Sequence, residues 1–117
     1  MTVESLYKRA KDALTAGNYA ESIKLYETLE SRFPYGIQSQ QAIIDTAYAH
    51  YRLGERAQAI AAADRFIKLY PNHENVDYAY FVKGLAKDGL HQVGGDGGEF
   101  AGLDHRAVAR RDRVNQR

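Results

Sequence analysis

At 117 residues the chain is long enough for one domain. Its hydrophobic fraction of 44% is that of a globular protein, and a net charge of +1 points to no polyanionic partner. With no cysteine, it excludes disulfides, thiolate catalysis and Cys-based zinc sites.

No apolar run approaches the roughly 20 residues of a spanning helix. The opening "MTVESLYKRAKDAL" lacks a secretory core and does not read as a signal peptide. Either the chain is cytosolic or a targeting segment has been removed.

The first predicted helix is "TVESLYKRAKDALTAG", beginning near Thr2, with Gly17 as its left-handed stop. Asn18 starts the second, and Glu21 completes a capping-box pattern. Ser22, Ile23, Tyr26, Leu29 and Phe33 recur at helical steps and form its inner face, and Pro34 and Gly36 end it. "SQQAIIDTAYAHYRL" is the third helix, with Ser39 as cap and Gly54 as stop. "RAQAIAAADRFIKLY" is the fourth, with Ala59, Ile60, Ala63, Phe66, Ile67 and Tyr70 inward, and Pro71 closes it. A fifth opens at "NVDYAYFVKGLAK", with Asn75 as cap.

The punctuation repeats at an interval of 37 residues: Gly17 and Gly54, Ser22 and Ala59, Pro34 and Pro71. Ala10, Ala47 and Gly84 keep the same interval, which suits close contact between paired helices. Two phased amphipathic helices per unit are the signature of a tetratricopeptide-type array. The three residues beyond the usual 34 fit in the loops after each Pro. The predicted fold is all-α: about two and a half helix-pair units of a right-handed α-solenoid, covering 1–87 as units 2–36, 37–73 and a partial 74–87. Three units are normally needed to bury a continuous core, so marginal stability is expected.

In such arrays the first helix of each unit lines a concave groove. The phase puts Tyr7, Lys11 and Leu14 there from unit one, and Gln41, Ile44, Asp45, Tyr48, Tyr51 and Arg52 from unit two. Unit three adds Tyr78, Phe81 and Leu85. From this set, Tyr7, Lys11, Gln41, Ile44, Tyr48, Tyr51, Arg52, Tyr78 and Phe81 form the candidate peptide-binding groove. Tyr combines a large apolar face with a polar tip, which suits an extended peptide bearing aromatic side chains, with a carboxylate near Lys11 or Arg52. Tyr48 and Tyr51 lie close to the helix seam and read equally as packing residues. No Lys–Asn set forms a two-carboxylate clamp, and Asp45 would repel a carboxylate, which disfavours a cytosolic co-chaperone.

No enzyme emerges. His50, His73, His91 and His105 form no ligand pair, so no metal or other cofactor is expected. The Gly94–Gly98 stretch "GGDGG" lacks the strand and Lys-Ser/Thr of a phosphate loop. Glu21, Glu27 and Glu30 read as a solvated face.

Three stretches carry a resemblance: "YAESIKLYETLESRFPYG", "SQQAIIDTAYAHYR" and above all "AADRFIKLYPNHENVDYAYFVKGLA". From about Leu6 to Lys87 the chain resembles the N-terminal part of the BamD (ComL) outer-membrane protein assembly lipoprotein family. The matching positions are Phe33, Pro34, Gly36, Gln40, Tyr48, Tyr51, Asp64, Arg65, Phe66, Pro71, His73, Asn75, Asp77, Tyr78 and Gly84. The resemblance implies a periplasmic scaffold, lipid-anchored at the outer membrane. It also implies partnership with a barrel-forming protein and other subunits of the assembly complex. Its clients would be unfolded outer membrane proteins with aromatic C-terminal signals. Two departures stand out: there is no lipidation Cys, and the family's array continues to about five units.

Segment 88–117 changes character, with Gly crowded between Gly89 and Gly102 and an Arg-rich end, "HRAVARRDRVNQR". It reads as irregular or weakly helical, and as a shifted reading frame or gene-fragment end. Two rivals remain: a Tol–Pal-associated cell-division coordinator, and a nucleic-acid binder using the Arg run. No nucleic-acid partner is expected from the dilution of that run by Asp104 and Asp112.

Overall fold

A computed structural model of the chain describes residues 2–88. The expected tail after Asp88, with His91, His105, the glycine cluster and the Arg run, lies outside the described residues. Five helices follow in order: α1 (Val3–Thr15), α2 (Tyr19–Arg32), α3 (Ile37–Arg52), α4 (Arg56–Leu69) and α5 (Val76–Asp88). Among the described residues there is no strand. Each helix packs on the next, and short connectors make neighbours antiparallel. α3 also touches α1 and α5, so first helices of successive units stand side by side. The fold is the all-α, tetratricopeptide-like helix-pair array that the repeat predicts.

The two glycine stops are the same device twice. Gly17 and Gly54 have φ of 85° and 79°, the left-handed region where a side chain is strained. At the first, Gly17 N–H donates to the Leu14 carbonyl and Asn18 N–H to that of Ala13. At the second, Gly54 donates to Tyr51 and Glu55 to His50. Both are Schellman closures, which satisfy carbonyls the helix end would leave open. The two prolines act at the other end of the pairs. They drive the preceding Phe33 and Tyr70 out of the helical region, to φ of −135° and −133°.

Three expected side-chain caps are placed differently. Asn18 makes no capping hydrogen bond. Its amide already closes α1, which holds it at ψ 70°, away from the extended backbone a capping side chain needs. Ser39 is not a cap, because α3 starts two residues earlier, after Gly36. Its buried hydroxyl donates instead to the Phe33 carbonyl, fastening the end of α2 to α3. Asn75 starts α5 through its carbonyl, while its side-chain amide reaches across to Gln41. α1 has the one side-chain cap of this kind seen at α1–α4: Thr2 Oγ1 accepts from Ser5 N–H at 3.0 Å.

Ala10, Ala47 and Ala59 are fully buried where helices approach closely. Gly84 is different: among the described residues, a Cβ there would meet nothing within 4 Å. The core forms two clusters. One gathers Leu6, Ala10, Tyr26, Leu29 and Ala42 around α1 and α2. The larger one surrounds α3, α4 and α5 and includes Phe66, Tyr48, Tyr78 and Val82.

Candidate peptide groove

α3 is the central helix, and every residue from 42 to 49 is buried. Residues Gln41, Asp45, Tyr48 and Arg52 follow one another at four-, three- and four-residue steps, which puts them in one stripe. That stripe faces α1 on one side and α5 on the other.

Its middle is sealed. The Asp45 side chain has no exposure. Its Oδ2 accepts from the Tyr26 hydroxyl at 2.7 Å and from Lys11 Nζ at 3.3 Å, and its Oδ1 from Gln41 Nε2 at 3.1 Å. Gln41 Oε1 accepts in turn from Asn75 Nδ2 at 2.8 Å. Asn75 N–H donates to His73 Nδ1 at 3.0 Å. A continuous polar chain therefore crosses all three units. Burying a carboxylate is costly unless it is paired and hydrogen-bonded, and here every contact serves that end. Asp45 is thus an internal acceptor matched by Lys11, not the exposed repulsive charge the sequence suggests. Burial first, and Asp45 second, push the Tyr7 and Tyr26 phenols far above their ordinary range, so both stay protonated.

The C-terminal half of the stripe is aromatic. Tyr48 lies within 6.3 Å of Tyr19 and Tyr51 and 6.5 Å of Tyr78, and Tyr78 stacks on Phe81 at 6.4 Å. Arg52 lies 5.4 Å from the Tyr19 ring centre and 6.0 Å from that of Tyr48, and its Nη1 donates to the Tyr48 hydroxyl at 3.1 Å.

The expected groove residues thus divide. Ile44, Tyr48, Tyr51 and Tyr78 are buried in the larger core cluster. Tyr7, Lys11, Gln41, Arg52 and Phe81 are half-buried and reach the surface. An open pocket of about 270 Å³ lies at the other end of the stripe, lined by Tyr7, Ile37, Gln38, Gln41, His73, Glu74 and Asn75. Sequence reasoning missed Ile37 and Gln38. The signal was there: counting three and four residues back from Gln41 reaches both, and Ile37 is an exposed apolar residue at a helix start. Tyr19 was missed because it belongs to a second helix, which the repeat assigns to the back. The sequence offers Asn75 as the cap of the fifth helix and His73 as a matching position of the resemblance, not as walls of a pocket. Burial holds the His73 imidazole below its ordinary pKa of 6.5, and the Glu74 charge partly offsets this.

Among the described residues no cluster of His, Asp and Glu is arranged to hold a metal. No described helix is long and apolar enough to cross a membrane.

Comparison with known proteins adds what geometry alone leaves open. The model of the YfiO family, described as an outer membrane lipoprotein, matches residues 1–112. The chain belongs to that family. Similar curated proteins include the outer membrane protein assembly factor BamD of Neisseria meningitidis serogroup B, 51% identical over 84 residues. That alignment covers 72% of this chain and 32% of the relative. The proteins of the same name from Xylella fastidiosa (strain 9a5c) and Vibrio cholerae are each 38% identical, over 86 and 80 residues. Those alignments cover 74% and 68% of this chain, and 30% and 33% of the relatives. The chain spans about a third of the length of the curated relatives it matches.

Proposed function

We propose that this chain is a non-catalytic binding module of the outer membrane protein assembly machinery. It holds extended segments of unfolded outer membrane proteins along the α3 stripe. Its place is the periplasmic side of the outer membrane, beside a barrel-forming partner and other subunits. The names of the relatives supply the process. The observation that carries the peptide reading is the pocket between Tyr7, Ile37, Gln41 and His73, open beside the sealed Asp45 cluster. Apolar and aromatic walls there suit a ring of the client. Gln41 and Asn75, already bonded to each other, keep the walls in place. The nucleic-acid reading rests on the Arg run, which lies outside the described residues.

Tyr48 and Tyr51 are unsuitable test positions, since truncating a buried ring costs several kcal/mol of folding stability. Ile37 is 75% exposed and can be changed without touching the core. An extended peptide carrying an aromatic residue is expected to bind the wild-type chain and to lose roughly tenfold in affinity to Ile37→Glu. Equal binding of a scrambled peptide would overturn the proposal.

A further inference from the structure

The groove holds two cations, Lys11 and Arg52, and the structure gives them different roles. Lys11 is matched to the buried Asp45 carboxylate, so its charge is already balanced. Lys83, the other half-buried lysine, is matched to Asp64 at 2.7 Å. Arg52 is the remaining half-buried Lys or Arg side chain among the described residues, and no described carboxylate pairs with it. Its one hydrogen bond within them is to a neutral phenol. The guanidinium lies near the faces of Tyr19 and Tyr48, both of which hold it in place. Its Nε and Nη2 donors have no acceptor among the described residues. A planar fork fixed by rings, with donors to spare and its charge unmatched, is the arrangement that receives a carboxylate in two-point fashion.

We propose that Arg52, backed by Tyr19 and Tyr48, is the carboxylate-binding end of the groove, and that its ligand is an extended peptide segment placing a carboxylate there. This rests on the peptide-binding reading above and adds the chemistry and length of the ligand. Gln41 and Arg52 are eleven residues apart on one helix face, or about 16 Å at 1.5 Å per residue. An extended chain covers that span in about five residues at roughly 3.3 Å each. The segment therefore sets a ring in the pocket at Tyr7 and Ile37 and a carboxylate on Arg52, about five residues away. Along that span the half-buried Tyr19 and Phe81 stand beside the covered Tyr48 and Tyr78, each ring within 6.5 Å of the next. The carboxylate can be a chain terminus or an Asp or Glu side chain.

The test is a titration of the full chain with three six-residue peptides that carry a ring at the first position. One ends in a free acid, one in an amide, and one in an amide with Asp at the last position. Both carboxylate peptides, or whichever source fits, are expected to bind about tenfold tighter than the plain amide. That ratio needs no variant and so does not depend on one folding. Arg52→Met is expected to bring the ratio to one, Arg52→Lys to keep part of it, and Lys68→Met, an exposed cation on α4, to leave it unchanged. If all three peptides bind wild type equally, and tighter than scrambled versions, the Arg52 proposal fails while the groove stands. A ratio lost in Lys68→Met or kept in Arg52→Met also overturns it. If no peptide exceeds its scrambled control, the groove reading fails, and this proposal with it.

Discussion

The two seams between successive units occupy corresponding positions and are built from opposite chemistry. Where α2 meets α3, Tyr26 bonds to Asp45 inside a lattice that includes Lys11 and Gln41. Thirty-seven residues on, the same positions are Ala63 and Val82, both fully buried in an apolar and aromatic cluster. The repeat dictates backbone punctuation and helix size at each position, and leaves open how the gap is filled. A polar seam is direction-specific, since each donor needs its acceptor. An apolar seam needs only volume and shape.

Exchanging the two chemistries breaks the comparison most directly. Val82→Asp places a carboxylate in a seam with no built partner and is expected to abolish cooperative unfolding, as followed by circular dichroism. Asp45→Val takes the acceptor from the Tyr26 hydroxyl and the Gln41 amide and the counter-charge from Lys11, and is expected to cost about 3–5 kcal/mol in denaturant titration. Combining it with Tyr26→Phe and Lys11→Met is expected to recover most of that loss, because an apolar seam then replaces the whole lattice. Failure to recover would mean that Asp45 does more than neutralise its neighbours.

A smaller effect comes from His73, at the far end of the polar chain. Its folded pKa lies below the unfolded 6.5, so the unfolded state binds more protons as acid is added. The stabilisation is complete above about pH 7 and is lost as pH falls through 6.5 toward the folded pKa. Protonation also removes the Nδ1 lone pair that accepts from Asn75. The melting temperature is expected to fall less between pH 7.5 and pH 5 in His73→Gln than in wild type. The smallest effect is a gain: Gly84→Ala, with open space at its Cβ and an ordinary helical backbone, is expected to stabilise by about 0.5–1 kcal/mol. Gly54→Ala, at φ of 79°, is expected to do the reverse.

These contrasts also mark what the sequence makes legible. Helix pairs, glycine stops and proline closures are local in cause, so a one-dimensional pattern shows them. Caps at Asn18 and Ser39 were misplaced because a neighbouring helix end, not the residue's own preference, decides the backbone there. In the groove, phasing identifies the face of α3 but not its depth. Tyr48 shares that face with Gln41, yet it is covered because α1 and α5 stand close on either side. The pairing of Lys11 with Asp45 links residues 34 apart in different units, and no local pattern announces it.

The central claim, that the α3 stripe and its end pocket receive an extended segment, is tested most directly by a backbone-assigned NMR titration with a peptide carrying an aromatic ring. The account predicts shifts confined to Tyr7, Ile37, Gln38, Gln41, Arg52 and Asn75 and their neighbours, absent with the scrambled peptide. Shifts confined to the outer faces of α2 and α4, or identical for both peptides, would contradict it.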